Sequence, residues 1–63
     1  MPIMQVHLIA GRSEEQKARL IEALTMAAVE ALDAPIESVR VLINEIPACD
    51  FGIAGQTARQ RGR

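Results

Sequence analysis

The sequence predicts one small subunit of the α/β (α+β) class: a single β-α-β unit with parallel strands, followed by a C-terminal hairpin. Three observations carry that expectation. Residues 2–9 alternate in the period of a strand, and residues 13–33 carry apolar side chains at three- and four-residue spacing. A second strand-like run, 39–46, is closed by Pro47. Two strands of one sheet joined by a helical crossover lie parallel.

In the first strand Pro2, Met4, Val6 and Leu8 make one apolar face, while Ile3, Gln5, His7 and Ile9 make a mixed one. A strand apolar on most of both faces is usually covered on both sides. Gly11 ends the run. Ser13 with Gln16 three residues later reads as a capping box, and Glu14 and Glu15 suit the positive end of the helix dipole. Leu20, Ile21, Leu24, Ala27, Ala28 and Ala31 form the stripe expected to meet the sheet. Asp33-Ala34-Pro35 stops the helix, because a residue before proline is pushed out of helical geometry. The second strand puts Val39, Val41, Ile43 and Glu45 on one face and Arg40, Leu42, Asn44 and Ile46 on the other. Asp50 to Gly55 has hairpin or loop chemistry, with two glycines around small apolar residues. A basic tail over about 57–63 contains Arg59, Arg61 and Arg63, and reads as a disordered, solvated end.

The 63 residues make one domain, 1–63. A chain this short buries little surface, and Cys49, its only cysteine, can form no internal disulfide. With 49% hydrophobic residues and no disulfide or Cys/His metal site, self-association is the expected stabiliser. A net charge of −1 exerts no pull toward nucleic acid or anionic membrane. No signal-like or membrane-spanning run is present, so a cytoplasmic location is expected.

Several residues are candidates for chemistry. Met1 before the small residue Pro2 is expected to be trimmed, leaving a free prolyl amine. Such an amine has a pKa of about 7.7 to 8.0 in water, and an apolar, cation-lined pocket lowers it toward a useful general base. The plainer role for Pro2 is to open a strand. Arg12, beside a helix N-terminus, suits a carboxylate or phosphate, although a solvated turn arginine is commoner. Arg40 interrupts an apolar strand, so it reaches solvent, pairs with an acid such as Glu37, or faces a ligand. His7 reads as a hydrogen-bonded structural residue and Cys49 as an unactivated thiol. Phe51 reads as a packing residue at a subunit contact.

Taken together, Pro2-Ile3, Gln5, His7, Gly11-Arg12-Ser13, Glu15-Gln16-Lys17, Leu32-Asp33-Ala34-Pro35, Ser38-Val39-Arg40-Val41 and Phe51-Gly52-Ile53 with Gly55 make a specific pattern. It resembles the 4-oxalocrotonate tautomerase family, the short-chain members of the tautomerase superfamily, in register from residue 2 to about 55. The resemblance implies a dimer-based homohexamer (a trimer of dimers) that tautomerises 2-hydroxymuconate or a similar unsaturated 2-oxo dicarboxylate. It implies Pro2 as catalytic base, Arg12 on the distal carboxylate and Arg40 on the carboxylate and oxygen of the 2-keto end. Ile9 and Phe51 would form part of an apolar wall. These groups would come from more than one subunit, with no metal or organic cofactor. Ala54 stands where that family commonly has glycine.

Two other functions remain open at the level of sequence. A non-catalytic oligomeric carboxylate-binding module would keep the fold without the chemistry. A dehalogenase or hydratase of the same superfamily would need an arginine near position 9 and an acid near 53. Both positions are isoleucine here, so a second kind of subunit would have to supply them.

Overall fold

The computed structural model describes residues 1–62; Arg63, part of the expected basic tail, lies outside them. Strand β1 runs Ile3–Ile9 and strand β2 runs Arg40–Ile46. They pair in parallel from Ile3 opposite Arg40 to Ile9 opposite Ile46. Helix α1, Glu14–Leu32, makes the crossover. Its start is the predicted capping box: the Gln16 N–H donates to Ser13 Oγ at 3.1 Å and the Ser13 N–H donates to Gln16 Oε1 at 3.0 Å. Its end is Asp33, whose φ of 53° takes the left-handed turn that breaks the helix before Pro35. A 3-10 turn, Ile36–Ser38, returns the chain to β2.

The helix covers the Met4, Val6, Leu8, Val41 and Ile43 side of the sheet, and these residues are half-buried. The stripe that does the covering differs in part from the expected one. Leu20, Leu24 and Ala28 face inward, but Ile21, Ala27 and Ala31 are exposed. A two-strand sheet is narrow, so only the centre of a wide helical stripe finds something to lie on. Lys17 extends the inward row and donates from Nζ to Glu45 Oε1 at 2.8 Å, tying helix to sheet. Both side chains remain partly solvated, so that pair adds about 1 kcal/mol at most.

The opposite side of the sheet is bare. Ile3 and Leu42 are about half exposed, at 50% and 46%, and Gln5, His7 and Asn44 lie exposed beside them. His7 makes no side-chain hydrogen bond among the described residues, contrary to its expected structural role; nothing packs on that face to offer a partner.

After β2 the chain leaves this layer. A 3-10 turn, Ala48–Asp50, leads into a hairpin of β3, Gly52–Ile53, and β4, Gln56–Thr57. Both residues of its two-residue connection have positive φ, 51° at Ala54 and 82° at Gly55, the geometry that matches strand twist. Alanine is strained there, so Ala54→Gly is expected to raise stability by about 0.5–1 kcal/mol. A urea midpoint unchanged or lowered by that substitution would contradict the strain.

The basic tail forms turns as far as it is described, which corrects the expectation of a disordered end, while Arg59 and Arg61 are exposed to solvent as expected. Thr57 and Gln60 exchange backbone-to-side-chain bonds of 2.8 and 3.1 Å, a second capping pair that folds 57–62 into turns. Ala58 is fully buried, and its N–H donates to the Phe51 carbonyl at 2.7 Å. The arm formed by residues 48–62 packs chiefly on itself.

The consequence is an elongated protomer, 42 × 23 × 13 Å, with a radius of gyration of 14.4 Å. A compact chain of this length would have a radius near 10.6 Å. Its accessible surface is 4769 Å², against roughly 4,000 Å² for a compact monomer of this mass. Only Ala28, Val39 and Ala58 are buried among the described residues. So small an interior is in keeping with the self-association expected from the sequence.

Candidate active site

Parallel pairing fixes which candidates can meet. Pro2 precedes β1 and Arg40 opens β2, so both stand at the same end of the sheet. The Arg40 N–H donates to the Pro2 carbonyl at 2.9 Å, which joins the two residues through their backbones. The Arg40 guanidinium does not pair with the Glu37 carboxylate. Nη1 donates to the Glu37 carbonyl at 2.5 Å and weakly to that of Val39 at 3.4 Å. Bonds to backbone carbonyls aim the group without neutralising it, so the ion-pair alternative gives way to an available positive charge.

Met1 is in place in this structure. Its amine donates to the Ser38 carbonyl at 2.7 Å, and the Ser38 hydroxyl donates to the Pro35 carbonyl at 2.7 Å while lying 3.4 Å from the Met1 carbonyl. In this form the Pro2 nitrogen is an amide without basicity. Sequence reasoning gave Ser38 no part in the site; the available signal was its place two residues before Arg40, in the turn that brings the chain back beside Pro2.

Arg12 lies at the other end. It follows β1 by three residues and makes no hydrogen bond or ion pair among the described residues. Two clefts meet at it. One, of about 300 Å³, is lined by Leu8, Arg12, Gln16, Lys17 and Leu20. The other, of about 450 Å³, is lined by Ile9, Ala10, Gly11, Arg12 and Gln16. Ile9 pairs with Ile46 in the last rung of the sheet, and Phe51 follows β2 beyond that same edge. Phe51 is half-buried in the arm rather than bare.

The candidates thus fall into two groups, Pro2 with Arg40 and Ile9 with Arg12, while Phe51 is held in the arm. The six residue steps of β1 between them span about 20 Å, too far for one small metabolite to touch both groups in one protomer. Cys49 is exposed, its Sγ 3.8 Å from Asp50 Oδ1, and stands in neither group. No cluster of His, Cys, Asp and Glu able to hold a metal occurs among the described residues. No described helix is long and apolar enough to cross a membrane.

Comparison with known proteins reads this geometry. The family profile described as "Tautomerase enzyme" matches residues 2–61. The chain belongs to the tautomerase family. It is 51% identical to the 2-hydroxymuconate tautomerase of Stutzerimonas stutzeri over 63 residues, the full length of both chains. Among solved structures, an apo unfused 4-oxalocrotonate tautomerase superposes with a TM-score of 0.93 at 53% identity, covering 95% of this chain and 98% of that one. A heterohexameric 4-oxalocrotonate tautomerase from Chloroflexus aurantiacus superposes with a TM-score of 0.91 at 37% identity, covering 95% and 97%. The expected β-α-β fold with its hairpin is therefore that of the tautomerases, and the enzyme is an isomerase. Multimeric neighbours also fit a tautomerase protomer that leaves one sheet face bare and divides its candidate residues between two ends.

Proposed function

We propose that this tautomerase interconverts enol and keto forms of 2-hydroxymuconate or a similar unsaturated 2-oxo dicarboxylate, with Pro2 as the base once Met1 is removed. The observation that carries the reading is the Pro2–Arg40 backbone bond, which puts a guanidinium with no carboxylate partner at the same end of the sheet as the proline. The neutral Pro2 nitrogen takes the proton from the 2-hydroxyl group. The electron pair moves through the conjugated chain, and the prolyl ammonium returns the proton to carbon, at the 3- or 5-position. Atoms and charge balance without oxidant, water, metal or organic cofactor.

Arg40 binds the carboxylate and oxygen of the 2-keto end and acts most strongly as negative charge grows on that oxygen. Arg12 binds the distal carboxylate and so fixes which carbon meets the amine. Because Arg12 sits a strand length away from Pro2 in its own chain, the Arg12 that completes a site comes from a neighbouring copy. Ile9, a strand length from Pro2 in its own chain, likewise comes from a neighbouring copy and with Phe51 supplies apolar wall that disfavours the ammonium form of Pro2. The assembly we propose is a homohexamer of three dimers in the cytoplasm, serving the breakdown of aromatic compounds.

The test is substrate preference. 2-Hydroxymuconate should be turned over with a kcat/KM about 10 to 100 times that of phenylpyruvate enol, which lacks a distal carboxylate, because one charge-assisted contact is at stake. Equal values would remove Arg12 from the scheme, and turnover of neither would leave the carboxylate-binding module as the better reading. A mixed assembly with dehalogenase or hydratase chemistry is the second reading, since a structural neighbour is a heterohexamer. Ile9 and Ile53 would then need a partner subunit carrying the arginine and the acid.

A further inference from the structure

Gln16 has a group that neither the fold nor the proposed scheme uses. The helix cap consumes one end of its carboxamide: Oε1 accepts the Ser13 N–H at 3.0 Å. An N–H donor there requires the oxygen, so the cap also settles the orientation of the amide and leaves its NH2 group, with two donors, on the other side. That NH2 makes no hydrogen bond among the described residues. Gln16 and Arg12 are the two residues common to both clefts at this end of the sheet. The neighbouring cation, Lys17, is already held by Glu45 at 2.8 Å. An unpaired guanidinium and an unpaired amide donor therefore border the same space.

A carboxylate has two oxygens and about four acceptor positions, more than one guanidinium fills. We infer that the Gln16 carboxamide is a second ligand for the distal carboxylate, next to Arg12, and sets the preference for diacid over monoacid substrates. The inference rests on the proposed tautomerase scheme and adds a specificity residue to it. The cap gives this contact an advantage that a free surface glutamine lacks. The side chain is fixed before substrate arrives, so less rotamer freedom is lost on binding.

Gln16→Glu separates binding from folding. Glutamate at this position also completes a capping box, so the helix keeps its start, while the donor becomes a negatively charged acceptor. The variant should melt like wild type, and its KM for 2-hydroxymuconate should rise about tenfold or more, with kcat within about threefold. Its KM for phenylpyruvate enol should stay within about twofold. Gln16→Met, which adds no charge, should move the diacid KM in the same direction by about three- to tenfold. An unchanged diacid KM in Gln16→Glu, or an equal rise for diacid and monoacid, overturns the inference and leaves the scheme standing. A wild-type enzyme that turns over neither substrate removes the scheme and the inference together.

Discussion

A chain that keeps Met1 is expected to convert 2-hydroxymuconate at least about a hundredfold more slowly than one that begins at Pro2. The reason is electronic before it is steric. With Met1 attached, the Pro2 nitrogen shares its lone pair with a carbonyl and cannot accept a proton. The amine that remains belongs to Met1, one residue step or about 3.8 Å away along the chain. It is already committed to the Ser38 carbonyl at 2.7 Å. Intact mass identifies the two forms, and the ultraviolet absorbance change of the substrate gives their rates. Treating the longer form with a methionine aminopeptidase should restore the rate in step with the mass shift. Equal rates for the two forms would end the case for a prolyl base.

Subunits carrying Pro2→Ala and subunits carrying Arg12→Gln should each be nearly inactive alone, yet recover activity when unfolded together and reassembled. Each defective chain still holds one intact end of its strand. If a site takes Pro2 from one chain and Arg12 from another, random mixing in equal amounts gives both intact groups in about a quarter of the sites. If a site were built within one chain, no mixture would contain a complete one. Recovery near a quarter of the wild-type rate supports the shared site; a mixture no better than its components refutes it. The strand spacing forces this contrast, because β1 separates the two groups by about 20 Å.

The fold was largely legible in the sequence because its signals are local. The Ser13–Gln16 box, the stop before Pro35 and the alternation on either side of the helix act through neighbouring residues, and the observed elements follow them. What was less legible depends on partners far along the chain. The apolar residues of α1 gave no clue that a two-strand sheet would leave Ile21, Ala27 and Ala31 uncovered. The ordered arm could not be read from three arginines, because it is organised by the Thr57–Gln60 pair and by the bond from the Ala58 N–H to the Phe51 carbonyl. The candidate site was legible as residues and their likeness to a family, not as a place. Only the parallel register shows that Pro2 and Arg40 share one end and Arg12 stands at the other. Arg40 itself left solvent, an acid partner and a ligand all open in the sequence; its guanidinium lies on the backbone carbonyls of Glu37 and Val39 rather than on the Glu37 carboxylate.

In the proposed homohexamer, the uncovered sheet face would make the persistence of this molecule a matter of how crowded it is with its own kind. Dilution of that assembly would strip away copies and act as a denaturant, whereas concentration would lift the thermal midpoint through mass action. A newly made chain would then meet its most hazardous interval before it meets a sibling, and the rate at which active enzyme accumulates would follow the rate of encounter as much as the rate of synthesis.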